Sequence, residues 1–135
     1  MTKYGGGVMP AAGDKYIVEV ESSHIDWGEY RNATKYKPIK GESYVKIPSK
    51  YAKLYDIRCG DMFVAHFKNN CPSIQIKASG NGPCENGIQY ANQFEGVGVR
   101  ASRAFTPWYK SCDVTVGDQV AVTFLTSTDI VFEIL

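Results

Sequence analysis

The chain has 135 residues, a formal net charge of +1 and a globular composition, with 44% hydrophobic residues. That is one domain with enough apolar material for an ordinary core. No apolar run approaches the ~18 residues of a membrane-spanning helix, and the N-terminus lacks a signal-peptide core, so no membrane partner and a cytoplasmic compartment, or a nuclear one in a eukaryote, are expected.

Residues 1–14 are Gly-rich and aperiodic, which predicts a flexible arm ahead of a single domain over 15–135. Lys15–Glu21 alternates apolar and polar residues and predicts the first strand. Ser22–Gly41 is a long polar connection carrying His24, Trp27, Tyr30, Arg31, Asn32, Lys35, Tyr36 and Lys37, and a connection of that length in a compact domain is functional or disordered. Ser43–Ile47 predicts a strand that Pro48 ends. Ser49 is the expected N-cap of a short helix over Lys50–Tyr55. Cys59-Gly60-Asp61 signals a turn, and Met62–Phe67 a strand.

Lys68–Pro72 predicts a turn and Ser73–Lys77 its return strand. Ala78–Gly87 is the least regular segment and is compatible with a plain loop. Ile88–Phe94 fits either a strand or a turn, and Val97–Arg100 a short strand. Ser102–Lys110 predicts a second short helix, interrupted by Pro107. Val116-Gly117-Asp118 repeats the turn, Gln119–Leu125 repeats the strand after it, and Thr128–Leu135 closes the chain as a strand. GDMFVAHF and GDQVAVTF then mark two copies of one unit, strand, short helix, Gly-Asp turn, strand. The expected fold class is mainly β, a single-domain pseudo-two-fold β-barrel with two short helices.

Cys59, Cys71, Cys84 and Cys112 show no C-x-x-C spacing, so neither a structural metal nor a cofactor is expected. A Cys71–Cys84 bridge is conceivable only in an oxidising environment. Charge is uneven: Arg31–Arg58 holds eight basic and two acidic residues. Cations concentrated beside interleaved aromatics suit a phosphate-bearing partner, whereas a lysine-rich solvated surface is the plainer alternative.

Ile47-Pro48 with Tyr51-Ala52, then Arg103–Trp108, Val116-Gly117-Asp118 and Val120, resemble the two halves of the B3-like DNA-binding pseudobarrel of plant transcription factors and restriction-enzyme effector domains. The cradle-loop barrels of the AbrB and MraZ regulators are a near alternative. The resemblance covers roughly residues 16–135 and departs from the plant pattern at the first Gly-Asp turn and the Gly-rich segment. It implies a non-catalytic double-stranded DNA-binding domain acting in transcription regulation. Two loop arms, Ser22–Lys40 and Ala78–Gln93, would enter the major groove. An AbrB-type arrangement would add a homodimer.

Within that resemblance Lys35, Lys37, Lys40, Lys46, Lys50, Lys53 and Lys77 are candidates for phosphates. Arg31, Asn32, Gln89, Asn92, Arg100 and Arg103 are candidates for base edges, because Arg pairs guanine and Asn or Gln pairs adenine bidentately. Two other classes remain open. One is a protein-interaction or virion-associated module. The other is a divergent metal-dependent nuclease, from Asp61 with Gln75-Ile76-Lys77, although the recurring turn accounts for Asp61 better. Neither histidine has a nucleophile and a carboxylate that sequence alone would pair with it.

Overall fold

The structure, a computed structural model, describes residues 10–21, 43–69, 71–98 and 103–135. Its strands are β1 (Lys15–Glu19), β2 (Val45–Lys46), β3 (Met62–Phe67), β4 (Ile74–Ser79), β5 (Cys84–Glu85), β6 (Ile88–Gln89), β7 (Gln93–Gly96), β8 (Gln119–Phe124) and β9 (Asp129–Ile134). Two short helices, α1 (Ser49–Leu54) and α2 (Thr106–Ser111), interrupt them. Seven strands form one sheet in the order β1-β8-β9-β3-β4-β7-β2, and β5-β6 is a separate hairpin. The protein is mainly β, and the sheet curls into a nearly closed barrel.

Alternation decides which face of each strand is buried. Tyr16, Phe63, Ala65, Ile76, Ala78, Phe94, Val120, Val122, Phe124, Ile130 and Phe132 point inward and are buried. Phe63, Phe94, Phe124 and Phe132 meet edge to face at 5.6–5.9 Å, a geometry that favours aromatic pairs beyond their buried area. The barrel seam falls between β1 and β2. There Tyr16 Oη donates to the Lys46 carbonyl at 2.8 Å. Tyr51 of α1 stacks on Tyr16 at 5.3 Å, and Tyr55 Oη donates to the Lys15 carbonyl at 2.6 Å. α2 fills the other end, with Trp108 packed on Phe67 at 4.8 Å and on Phe132 at 5.9 Å.

The internal repeat runs without insertion from Ser49–Phe67 to Thr106–Phe124. Each helix is followed by an aspartate in the left-handed region, Asp56 (φ 55°) and Asp113 (φ 51°). Each then reaches a Gly-Asp turn in which the glycine has positive φ, 94° at Gly60 and 100° at Gly117, as the third position of a type II turn requires. In each turn the aspartate carboxylate accepts the backbone N–H three residues back: Arg58 N to Asp61 Oδ2 at 3.0 Å, Thr115 N to Asp118 Oδ2 at 2.9 Å. A third copy precedes β1, where Ala11 N donates to Asp14 Oδ2 at 2.9 Å and Gly13 has φ 92°. Residues 11–14, which sequence places in the arm, are thus tied to the barrel, and Gly13 N donates to the Phe124 carbonyl at 2.9 Å.

Several boundaries differ from the sequence reading. α1 begins at Ser49 itself, and Pro48 is the N-cap residue without a side-chain cap bond. Pro107 lies in the first turn of α2, where a missing N–H costs nothing, so it opens the helix rather than interrupting it. A strand runs over Gln93–Gly96, and of the strand expected at Val97–Arg100 only Val97 and Gly98 are described, neither in a strand. Ala78–Gly87 is not a plain loop, for Asn86-Gly87, with φ 52° and 78°, turns the β5-β6 hairpin as a two-residue type I′ turn. Cys71 precedes β4 and Cys84 follows it, and no bridge joins them. All four cysteines are free.

Candidate nucleic-acid interface

β2 and β7 run antiparallel, with Val45 opposite Phe94 and Lys46 opposite Gln93. The connection over residues 22–42 enters β2 beside the end of β7. The connection carrying β5-β6 enters β7 beside the end of β2. The junctions of the two connections with the barrel therefore lie at opposite ends of one two-stranded edge.

Between them the outward residues are polar. Lys46 is exposed and stands in a cross-strand row with Gln93 and Ser79, while Lys77 stands opposite Glu95. Glu95 accepts hydrogen bonds from Ser79 Oγ and, at 3.0 Å, from Gln93 Nε2. Sequence reading missed Ser79, Gln93 and Glu95, because their shared face follows from the β4-β7-β2 register rather than from residue type.

Arg31, Asn32, Lys35, Lys37, Lys40 and Arg100 lie outside the described residues. Lys46 on β2 and Lys50 and Lys53 on α1 are all exposed, and α1 follows β2 directly at the second-arm end. Lys50 Nζ sits 4.9 Å over the Tyr51 ring. Lys53 Nζ pairs with Glu85 Oε2 of the hairpin at 2.6 Å, and that hydrogen bond raises the lysine above its ordinary value. Both partners are about half exposed, so the pair is weak in energy, but it offsets one of the three lysine charges there.

Gln89 donates from Nε2 to the carbonyls of Gly82 and Tyr90 at 2.8 and 2.9 Å, so it holds the hairpin together. Asn92 Oδ1 is buried without a hydrogen-bond partner and lies where a Cβ on Gly80 would fall. A bidentate adenine contact needs both ends of the amide, and this conformation does not present them. Arg103 is exposed just ahead of α2. Three residues later Thr106 Oγ1 meets Ser43 Oγ at 2.8 Å, where the first connection rejoins the barrel.

Beneath the second arm Arg58 Nε donates to Asp56 Oδ1 at 2.9 Å, and this bond holds the guanidinium above its usual value. A cavity of about 320 Å³, lined by Pro10, Arg58, Asp61, Met62, Phe63, Ser127 and Thr128, opens at the start of β3. Burial raises the Asp61 carboxyl there, against the lowering effect of the Arg58 N–H. Among the described residues no group of three His, Cys, Asp or Glu could hold a metal ion, and no helix is long and apolar enough to cross a membrane. No family model matches the chain, and no curated protein and no solved structure matches it.

Proposed function

We propose that this protein is a B3-like double-stranded DNA-binding domain that acts in transcription regulation, with no catalytic step in its reading of DNA. The reading rests on one arrangement: the two connections join the β2-β7 edge at opposite ends, with exposed Lys46 between the junctions and exposed Lys50 and Lys53 on the helix that follows. A groove reader needs two reaching segments and a polar floor between them. Glu95 repels phosphate and accepts well from cytosine N4, so the floor faces bases and the lysine rim faces the backbone. Lys46, Lys50 and Lys53 serve phosphates together with Lys35, Lys37 and Lys40 of the first connection. Arg103 and Gln93 are the described residues best suited to base edges.

The test is titration of labelled duplex DNA across a salt series. With about four phosphates neutralised, log affinity against log salt should slope on the order of −3 to −4. Lys46→Ala with Lys50→Ala should flatten the slope and weaken all sequences alike. Glu85→Ala should release Lys53 and steepen it. Gln93→Ala should change preference at particular base pairs, by roughly 1–3 kcal/mol if its contact is direct. Absence of binding at low salt would replace this reading with that of a protein-interaction module.

A further inference from the structure

Three outward side chains on neighbouring strands meet on the far side of β4 from the proposed DNA edge. His66 lies on the outer face of β3. Ser73 stands opposite it, one step beyond the β3-β4 ladder, and Asp129 opens β9, the parallel neighbour of β3. His66 Nδ1 is 2.8 Å from Ser73 Oγ, and Nε2 is 3.0 Å from Asp129 Oδ1. The other carboxylate oxygen accepts from Thr126 Oγ1 at 2.9 Å and Thr128 Oγ1 at 3.3 Å, and Asp129 N donates to Thr126 Oγ1 at 2.9 Å. The aspartate is thus fixed by the β8-β9 turn on one side and the imidazole on the other.

The direction of these bonds matters. The His66 hydrogen bond, followed by that from Thr126, holds the Asp129 carboxyl below its ordinary value, so it is an acceptor only. Nε2 must then carry a proton, and in the neutral imidazole the Nδ1 lone pair is aimed at Ser73 Oγ. Nucleophile, base and orienting carboxylate stand at hydrogen-bonding distances, and such relays recur on unrelated folds in any chain order. The purely structural alternative is a histidine that ties three strands together.

We propose that Ser73, His66 and Asp129 form a working acyl-transfer relay for small activated carboxylic esters. Ser73 Oγ forms a bond to the carbonyl carbon as its proton passes to Nδ1. The alcohol or phenol oxygen leaves with the C–O bonding pair and takes that proton. Water then attacks the acyl-serine, gives a proton to Nδ1, and releases the carboxylic acid as Ser73 Oγ is reprotonated. The net change is ester plus water to acid plus alcohol. His66 is about one-third exposed and its outward neighbours, Val64 and Val131, offer an apolar floor without depth. That selects short acyl groups on good leaving groups. Asp129 is a positioning residue.

The experiment treats the full chain with an alkyl fluorophosphonate, which transfers phosphorus to an activated serine and loses fluoride, and maps the adduct by peptide mass spectrometry. Turnover of p-nitrophenyl acetate is followed in parallel. The expected result is one adduct, on Ser73, that disappears in Ser73→Ala and in protein unfolded by urea. His66→Ala should slow labelling at least about 10²-fold, and added imidazole should restore part of it. A bystander histidine would give no such rescue. Asp129→Asn should slow labelling at least about 10-fold, with recovery in Asp129→Glu. Ser73 is exposed, so Ser73→Ala keeps the circular dichroism spectrum of the parent. Labelling that is absent, that falls on other residues, or that persists unchanged in His66→Ala overturns the proposal. None of these outcomes depends on DNA.

Discussion

α1 and α2 are drawn on the same backbone and serve opposite ends. Both have six residues, the same C-terminal hydrogen bonds, an aspartate in the left-handed region and a Gly-Asp turn. Yet α1 buries only Ala52 and leaves Lys50, Lys53 and Leu54 in solvent, while α2 buries Trp108 and Tyr109. Turn chemistry sets the path of the chain in both halves. The aromatic load on the helix decides whether that path becomes a core plug or a charged rim.

The largest expected effect tests that division directly. Trp108 contacts Phe67, Phe105 and Phe132 and is 2% exposed. Trp108→Ala should cost about 3–5 kcal/mol, the range for emptying a large aromatic site in a core. Tyr51→Ala, the matching position in α1, empties a partly buried site at the edge of the core and should cost about half as much or less by area. Urea unfolding of the two variants measures both. Equal losses would show that α1 is as much part of the core as α2.

A smaller effect separates the two sides of β2. This two-residue strand is gripped by phenols from both directions: Tyr109 Oη donates to the Tyr44 carbonyl at 2.9 Å, and Tyr16 Oη to the Lys46 carbonyl at 2.8 Å. Burial raises both hydroxyls above the ordinary tyrosine value, with a further push on Tyr16 from Tyr109 and on Tyr109 from Tyr44. The folded state therefore holds these protons more tightly than the unfolded chain. Their contribution is fully present below the ordinary tyrosine value near 10 and is lost as pH rises beyond it. Ultraviolet titration should find two tyrosines that ionise only with unfolding. Tyr16→Phe and Tyr109→Phe should each cost about 1–3 kcal/mol by leaving a carbonyl unpaired, and each should soften the alkaline transition. An unchanged transition in both variants would remove the clamp.

How much of this was legible follows from what each feature depends on. Met62–Phe67 and the strand after the second Gly-Asp turn were readable, because alternation and a turn glycine are local signals. So was the repeat, because the aspartates that close its turns stand in sequence. The start of α2 was misread since Pro107 marks either a break or a first turn, and only packing decides which. The β5-β6 hairpin was missed although Asn86-Gly87 is a strong signal, because the residues around it lack alternation. Lys50 and Lys53 were correctly placed beside one another, but the Glu85 that masks Lys53 comes from a hairpin across the sheet. Ser73, His66 and Asp129 were beyond reach. Their meeting requires β9 to lie parallel to β3, and no residue pattern in either strand encodes that neighbour.

The smallest effect compares the two turns themselves. Asp61 and Asp118 make the same bond to the N–H three residues back. Replacing Asp118 with Ala removes that bond and should cost about 1 kcal/mol, as for other side-chain caps of backbone N–H groups. Asp61 differs because burial raises its carboxyl. A raised carboxyl gives stability that is fully present below the unfolded value and lost as pH rises through the folded one, so by neutral pH the Asp61 charge works against folding. Asp61→Asn keeps an acceptor for Arg58 N and removes the charge. Its stability relative to the parent should improve as pH rises from the ordinary aspartate value through the raised one in urea titrations, and then level off. If the Asp61→Asn difference stays flat across that range, the two turns are equivalent in energy as well as in shape, and the asymmetry between the halves belongs to the helices alone.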